Sequence, residues 1–375
     1  MNLELNDIQG QLQDSLSRLL AKQYSFEARQ AYARDPRGHS GDVWAQLADL
    51  GVLGAAIGEE WGGFGGDAVD QMLVAQALGK VLALEPYHSS IIMAATALQA
   101  MGSQAQKQAW LPRIAQGEAQ LGWAHQAPAG AQHATQARRT SGVWRLHGTK
   151  VLVLNAPNCE RLVVSALDET GAMALYLADT KSAGVRIDSY RLLDDTLAAD
   201  VHFEGVAGER LDGVDGANAA SALQRVLDTG ITAACADMLG AMEGASALTF
   251  DYLKTRHQFG RAIGTNQALQ HRAVEMLIGI EQSRSLVMSL ALTLAGRNDF
   301  SIGGGQFHAA KVLVGRNARV VAQESIQMHG GIGMTEECAV GHYLRRVLVL
   351  DQLHGDTHAH LAVLENFPHP TEDRK

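Results

Sequence analysis

The chain has 375 residues, of which 46% are hydrophobic and 19% charged, with a formal net charge of -9. That apolar content supports two or three packed units. The acidic balance argues against nucleic acid or an anionic membrane as partner, because both need a concentrated basic face.

From Leu3 to about Gly117 the pattern is helical. Leu12, Leu16, Leu19 and Leu20 recur at helical spacing, as do Val74, Leu78, Val81 and Leu82. The start, MNLELNDIQGQLQDSL, lacks the basic residues and apolar core of a signal peptide. No apolar run reaches transmembrane length, so the expectation is a cytoplasmic protein without a membrane span. Residues 58–66, GEEWGGFGG, lack the GKS/T ending of a phosphate loop, and no strand pattern leads into them. They read as an irregular connection with Trp61 and Phe64 turned inward.

From about Glu118 to Gly216 the pattern shortens and alternates. Residues 143–148, 161–166, 173–177 and 185–187 predict strands, with turn signals at 140–142 and 156–158. A small antiparallel barrel or sandwich follows. From about Ala219 long helices return, over 219–254, 266–295 and 304 to about 328, and they predict a four-helix bundle. The expected fold is α+β and multidomain: an N-terminal helical domain (1–117), a middle β domain (118–216) and a C-terminal helical bundle (217–375). Cys159, Cys235 and Cys338 show no CxxC spacing. They are expected as buried thiols in a reducing compartment rather than as a zinc site.

Residues 327–360, QMHGGIGMTEECAVGHYLRRVLVLDQLHGDTHAH, join a glycine cluster, an arginine pair, an apolar run and a histidine-rich end. Glycines let a ligand approach backbone amides closely. His354 titrates near neutral pH and is one candidate base, or it fills a disused pocket. Asp356 is a second candidate, or it caps a helix starting near Thr357. His354, His358 and His360 lack a carboxylate or thiol at a known ligand spacing, so no metal is expected.

Over nearly its whole length the chain resembles an acyl-CoA dehydrogenase. Residues 47–54 (LADLGVLG) with 59–65 (EEWGGFG) resemble that family's N-terminal domain, and 106–112 (QKQAWLP) with Gly117-Glu118 its passage into the β domain. Arg256-His257-Gln258-Phe259-Gly260 with Gln267, then Gln327 to Gly333, resemble its two C-terminal flavin motifs.

The resemblance implies FAD as cofactor, α,β-desaturation of an acyl-CoA thioester, and an electron-transferring flavoprotein as acceptor. It implies that Arg256, Phe259, Gln267, Gln327, Gly330 and Gly331 hold the pyrophosphate and adenosine end of a flavin seated in the neighbouring subunit. A guanidinium suits that task because it pairs bidentately with phosphate. Arg225 matches an arginine the family keeps near the acyl-CoA site.

Both places where the family puts its catalytic glutamate lack a carboxylate: they read Leu353-His354-Gly355-Asp356 and Gln224-Arg225. The family's Thr-Glu-Pro-Gly-Ala-Gly-Ser-Asp segment is replaced by residues 125–132, HQAPAGAQ. Its Lys-x-Trp-Ile-Thr-Asn becomes Lys150 to Asn155 with Leu152 and Leu154 at the flavin-facing positions. An apolar side chain there leaves a buried polar edge unpaired, at about 1–3 kcal/mol.

The elements for the chain's own active site are thus eroded, and those serving a neighbour's are intact. The chain is similar to the small subunit of heteromeric types such as pimeloyl-CoA or steroid side-chain dehydrogenases. The expectation is an α2β2 heterotetramer whose second acyl-CoA dehydrogenase subunit carries the base. Two alternatives stay open, a self-sufficient homomeric enzyme using His354 or Asp356 and a flavin-free scaffold.

Overall fold

The computed structural model describes residues 5–130, 135–214, 216–297 and 305–367. Several helices start where a side chain can satisfy free backbone donors. After α1 (Asp7–Gln23), Ser25 and Ser40 cap α2 (Phe26–Arg34) and α3 (Gly41–Asp49). Following α4 (Ala68–Lys80), a π-helix over Tyr87–Ala95 runs into α5 (Thr96–Met101). Ser103 and Gln106 form a reciprocal capping box at α6 (Gln104–Ala115).

Seven strands come next: β1 (Leu121–Ala124), β2 (Gln136–Thr140), β3 (Val143–Leu154), β4 (Arg161–Leu167), β5 (Met173–Asp179), β6 (Val185–Arg191) and β7 (Leu197–Arg210). The remainder is α7 (Gly216–Thr255), the short hairpin β8 (His257–Gln258) and β9 (Arg261–Ala262), α8 (Gln267–Leu294), α9 (Gly305–His329), α10 (Ala339–Gln352) and α11 (Thr357–Glu365). Among the described residues no helix is long and apolar enough to cross a membrane.

The chain forms two compact units. One holds residues 14–71 and 84–230, the other the residues up to 13, 72–83 and 231 onward. In the first unit β2, β3, β7, β5 and β4 bond in sequence, and β4 also pairs with β2. The result is a closed five-stranded barrel, and the sandwich alternative is overturned. Both sheet edges are satisfied within one sheet, so no second sheet is required. Nor is the barrel purely antiparallel, since β1–β4 and β2–β4 run parallel. Leu146, Val153, Leu162, Val164, Tyr176, Val201 and Phe203 alternate inward to fill it.

Helices of the same unit are fastened to the barrel by buried polar groups. Arg29 donates Nη1 to Asp195 Oδ2 at 2.9 Å and Nη2 to the Asp194 carbonyl at 2.6 Å. Gln106 Nε2 donates to Glu209 Oε1 at 2.8 Å and to the Arg210 carbonyl at 2.9 Å. Phe64 is not turned inward as expected: it is 68% exposed, and Trp61 is only half-buried. Backbone bonds from Phe64, Gly65 and Gly66 to Gly54, Ile57 and Ala55 bring the loop's main chain inward, which leaves the Phe64 ring outside over Gly51.

In the second unit α9 packs against α8, α10 and α11. Gly240 and Gly244 let α7 touch α4, for a Cβ on Gly240 would fall 1.9 Å from the Gln76 carbonyl. Arg346 and Asp237 pair at 2.5 Å in a largely buried site beside this crossing. Cys159 and Cys235 are buried, whereas Cys338 is partly exposed where the sequence reading expected burial.

Glu85 is a buried titrating group in the first unit. It accepts from Tyr24 Oη at 2.5 Å and from the Ser40 amide at 3.3 Å. Burial raises its carboxyl to about 7. A raised folded value means the protonated form is the one that fits. The stabilisation is complete below the unfolded value near 4.5 and is lost as pH rises through 7. Glu85→Gln cannot ionise, so relative to the native chain it should gain stability between pH 5 and 8, by about 3 kcal/mol at most. Denaturant unfolding at the two pH values checks this, and parallel pH profiles for the two proteins would count against it.

Candidate cofactor face and catalytic residues

The six residues expected to hold a flavin lie where α7, α8 and α9 end or begin. The helix α7 stops at Thr255, and the Arg256 amide still donates to the Tyr252 carbonyl at 2.8 Å. The chain then reverses in the β8–β9 hairpin, whose two turn residues are Phe259 (φ 52) and Gly260 (φ 80). Two successive positive φ values match the twist of a tight hairpin. Glycine adopts them freely, and a phenylalanine does so at a cost. Phe259 is 101% exposed at this tip.

Ile263 donates to the Arg256 carbonyl at 2.9 Å, returning the chain to Gln267, the first residue of α8. Helix α9 ends at His329, and Gly330 to Met334 make a 3-10 turn. Arg256, Gln267, Gln327, Gly330 and Gly331 are all exposed. Nothing lies within 4 Å of where a Cβ would sit on Gly330 or Gly331. This donor set fits the polar end of FAD: a guanidinium, side-chain amides, and main chain open to close approach.

Two contacts behind this surface connect the three helices. The Tyr252 and His329 rings stack with centroids 4.5 Å apart and planes 20° apart. Arg272 Nε meets Glu324 Oε2 at 2.7 Å.

His354 and Asp356 lie in the turn between α10 and α11. His354 has φ 61 and Gly355 φ 101. Asp356 Oδ1 accepts from the Ala359 amide at 2.8 Å, which makes it the N-cap of α11. That bond holds its carboxyl below the usual range. Lys311, fully buried on α9, donates to the Asp351 carbonyl at 2.8 Å and the Gly355 carbonyl at 3.1 Å. His360 meets His308 at 2.7 Å between Nδ1 atoms, and burial, then Lys311, lowers it to about 4.

In the barrel unit Gln224 is exposed on α7, and its Nε2 donates to Asp228 Oδ1 at 3.0 Å. Burial raises the Asp228 carboxyl. Sequence reasoning missed this carboxylate, although its position four residues after Gln224 places it on the same helical face. Arg225 is exposed beside it.

The strand that the resemblance assigns to the flavin carries Leu152 and Leu154 and is partly occupied. Ala131 and Gln132 of the 125–132 segment lie outside the described residues. Leu152 sits at φ 56 in the irregularity between Lys150 and Val153. Its amide donates to Tyr190 Oη at 3.2 Å, and Tyr190 Oη donates to Asp200 at 2.8 Å. Lys150 points into the barrel wall, donating to the His125 carbonyl at 2.9 Å and Ser165 Oγ at 3.0 Å. Burial lowers it to about 8. Tyr190 was not singled out in the sequence because its strand reads as an ordinary exposed edge.

Residues 6–118 match the family model for the acyl-CoA dehydrogenase N-terminal domain, and residues 220–366 that for its C-terminal domain. The acyl-CoA dehydrogenase FadE27 of Mycobacterium tuberculosis is 29% identical over 315 residues, covering 80% of this chain and 81% of that protein. A solved variant of the Tcur3481-Tcur3483 steroid ACAD is 26% identical with a TM-score of 0.88, covering 96% of this chain and 97% of its own. The Mycobacterium tuberculosis ChsE4-ChsE5 complex shares the fold, with a TM-score of 0.88 at 24% identity, covering 98% of this chain and 100% of its own. Matched by both domain models in their proper order, the chain belongs to the acyl-CoA dehydrogenase family.

Proposed function

We propose that this chain is the subunit of an FAD-dependent acyl-CoA dehydrogenase that completes the flavin site of a second, catalytic chain in an α2β2 assembly. The observation that carries the reading is a contrast between two surfaces. The α7–α8–α9 end offers Arg256, two glutamines and open glycine backbone. The barrel's flavin-facing strand offers Leu152 and Leu154, with the Leu152 amide already bonded to Tyr190. The first set suits a diphosphate, and the second leaves the polar edge of a flavin ring without partners.

Bound flavin supplies the hydride acceptor in α,β-desaturation of a thioester. In this chain Arg256 would pair with phosphate oxygens, Gln267 and Gln327 would hydrogen-bond the nucleotide, and Gly330 and Gly331 would admit it to the main chain. Arg225 would lie toward the acyl-CoA. Proton abstraction would belong to the partner, since both positions for the family's base lack a carboxylate and Asp356 is engaged as a helix cap. The electron acceptor is an electron-transferring flavoprotein.

A partner chain is supported by apolar side chains left in solvent. Val274, Leu277 and Ile278 on α8, Val320 on α9, and Ile332 and Met334 after it are exposed, Met334 at 78%. Such a group of exposed apolar side chains marks an interaction surface. The Tcur3481-Tcur3483 protein carries two chain names, which fits the same organisation.

Expressed alone, the chain should be colourless, and co-expressed with its partner it should yield yellow protein near one FAD per pair. Flavin absorbance during co-purification measures this. One FAD per lone chain, with acyl-CoA oxidation lost in His354→Ala, would favour the homomeric enzyme. Colour in neither preparation would favour a scaffold. Arg256→Ala should weaken FAD binding by the pair by about tenfold to a hundredfold. Arg256→Lys should recover part of that loss, as read by release of FAD fluorescence on dilution.

A further inference from the structure

The groups of the cofactor face are not bonded to one another. Arg256 belongs to the end of α7, and Gly330 and Gly331 to the end of α9. Two helix ends converging on a diphosphate need something behind them to fix their spacing. Arg256 and the open Gly330-Gly331 main chain can meet one diphosphate only at a fixed spacing, so a small separation of the ends costs much of what Arg256 contributes.

We propose that Tyr252 and His329 are positioning residues that set the distance between Arg256 and the Gly330-Gly331 turn. Tyr252 stands one helical turn before Arg256, whose amide donates to the Tyr252 carbonyl at 2.8 Å. His329 immediately precedes Gly330. Their rings lie nearly parallel with centroids 4.5 Å apart, so the stack joins α7 to α9 within one residue of one half of the cradle and one turn of the other.

The stack is itself held from behind. His329 Nδ1 donates to the Ser325 carbonyl at 2.7 Å, fixing the plane of the ring. His329 Cβ would lie 3.0 Å from a Cβ on Gly333, so the turn after Gly331 closes directly over the histidine. The Arg272–Glu324 pair adds α8 to α9 one turn further back, so α9 receives a contact from each of the other two elements. Neither Tyr252 nor His329 has to touch the cofactor. Their effect is on geometry, and polar recognition of this kind is sensitive to displacements near 1 Å.

The inference rests on the cofactor reading above, and its test separates the two. FAD and ADP are titrated by calorimetry into the co-purified pair, first stripped of its bound flavin, carrying native Tyr252, Tyr252→Phe or Tyr252→Leu, with melting temperatures taken without ligand. Tyr252→Phe should bind as the native pair does. Tyr252→Leu, which keeps apolar volume and loses the stack, should bind both ligands about tenfold more weakly with its ligand-free melting temperature close to that of Tyr252→Phe. Equal affinities for Leu and Phe variants, with native binding intact, overturn the positioning role alone. A native pair that binds neither ligand overturns the cofactor face and the positioning role together.

Discussion

The Lys311 ammonium has no exposed surface, and an unmatched charge in such a place is costly enough to be rare. It persists because two main-chain carbonyls, those of Asp351 and Gly355, accept from it. Those carbonyls flank the turn that carries His354, so one cation on α9 fixes the end of α10 and the approach to α11. Asp351 adds to the fit, since Arg319 and Thr357 both meet its carboxylate. Eighteen residues later the same helix presents His329 and Gly330, roughly 27 Å away at the ordinary helical rise. One helix thus holds two surfaces too far apart to share a reacting centre.

The α7–α9 end and the barrel differ in what they leave open. At the α7–α9 end every polar group suited to a nucleotide is exposed and unobstructed. In the barrel Lys150, His125 and Ser165 bond to one another, while Leu152 is held by Tyr190.

Much of the architecture was legible in the residues. The three long C-terminal helices appear as α7, α8 and α9 because their apolar stripes are long and regular. Strand β7 was missed: alanines, two glycines and charged residues dilute its alternation, although Ala199, Val201 and Phe203 do face the core. A closed ring could not be told from a sandwich because closure rests on a single β2–β4 pairing, Gln136 with Leu167. Phe64 was placed inward on its apolarity, and the loop's backbone bonding decided otherwise. At the site, Arg256 and the glycines came from the family resemblance, the Asp356 cap was one of two readings of that residue, and the Tyr190 contact depends on coordinates.

The hairpin tip at Phe259 has a further consequence. An aromatic residue in the left-handed region of the backbone map costs roughly 1–2 kcal/mol that glycine would avoid, and here the ring gains no burial within its own chain. The lone polypeptide is therefore less stable than its fold permits, and the deficit lies at the exposed hairpin tip. If association supplies that burial, the folded fraction rises with partner concentration by mass action. Cellular abundance of this chain would then follow that of a partner, through proteolysis of the unpartnered copies, with no dedicated regulator.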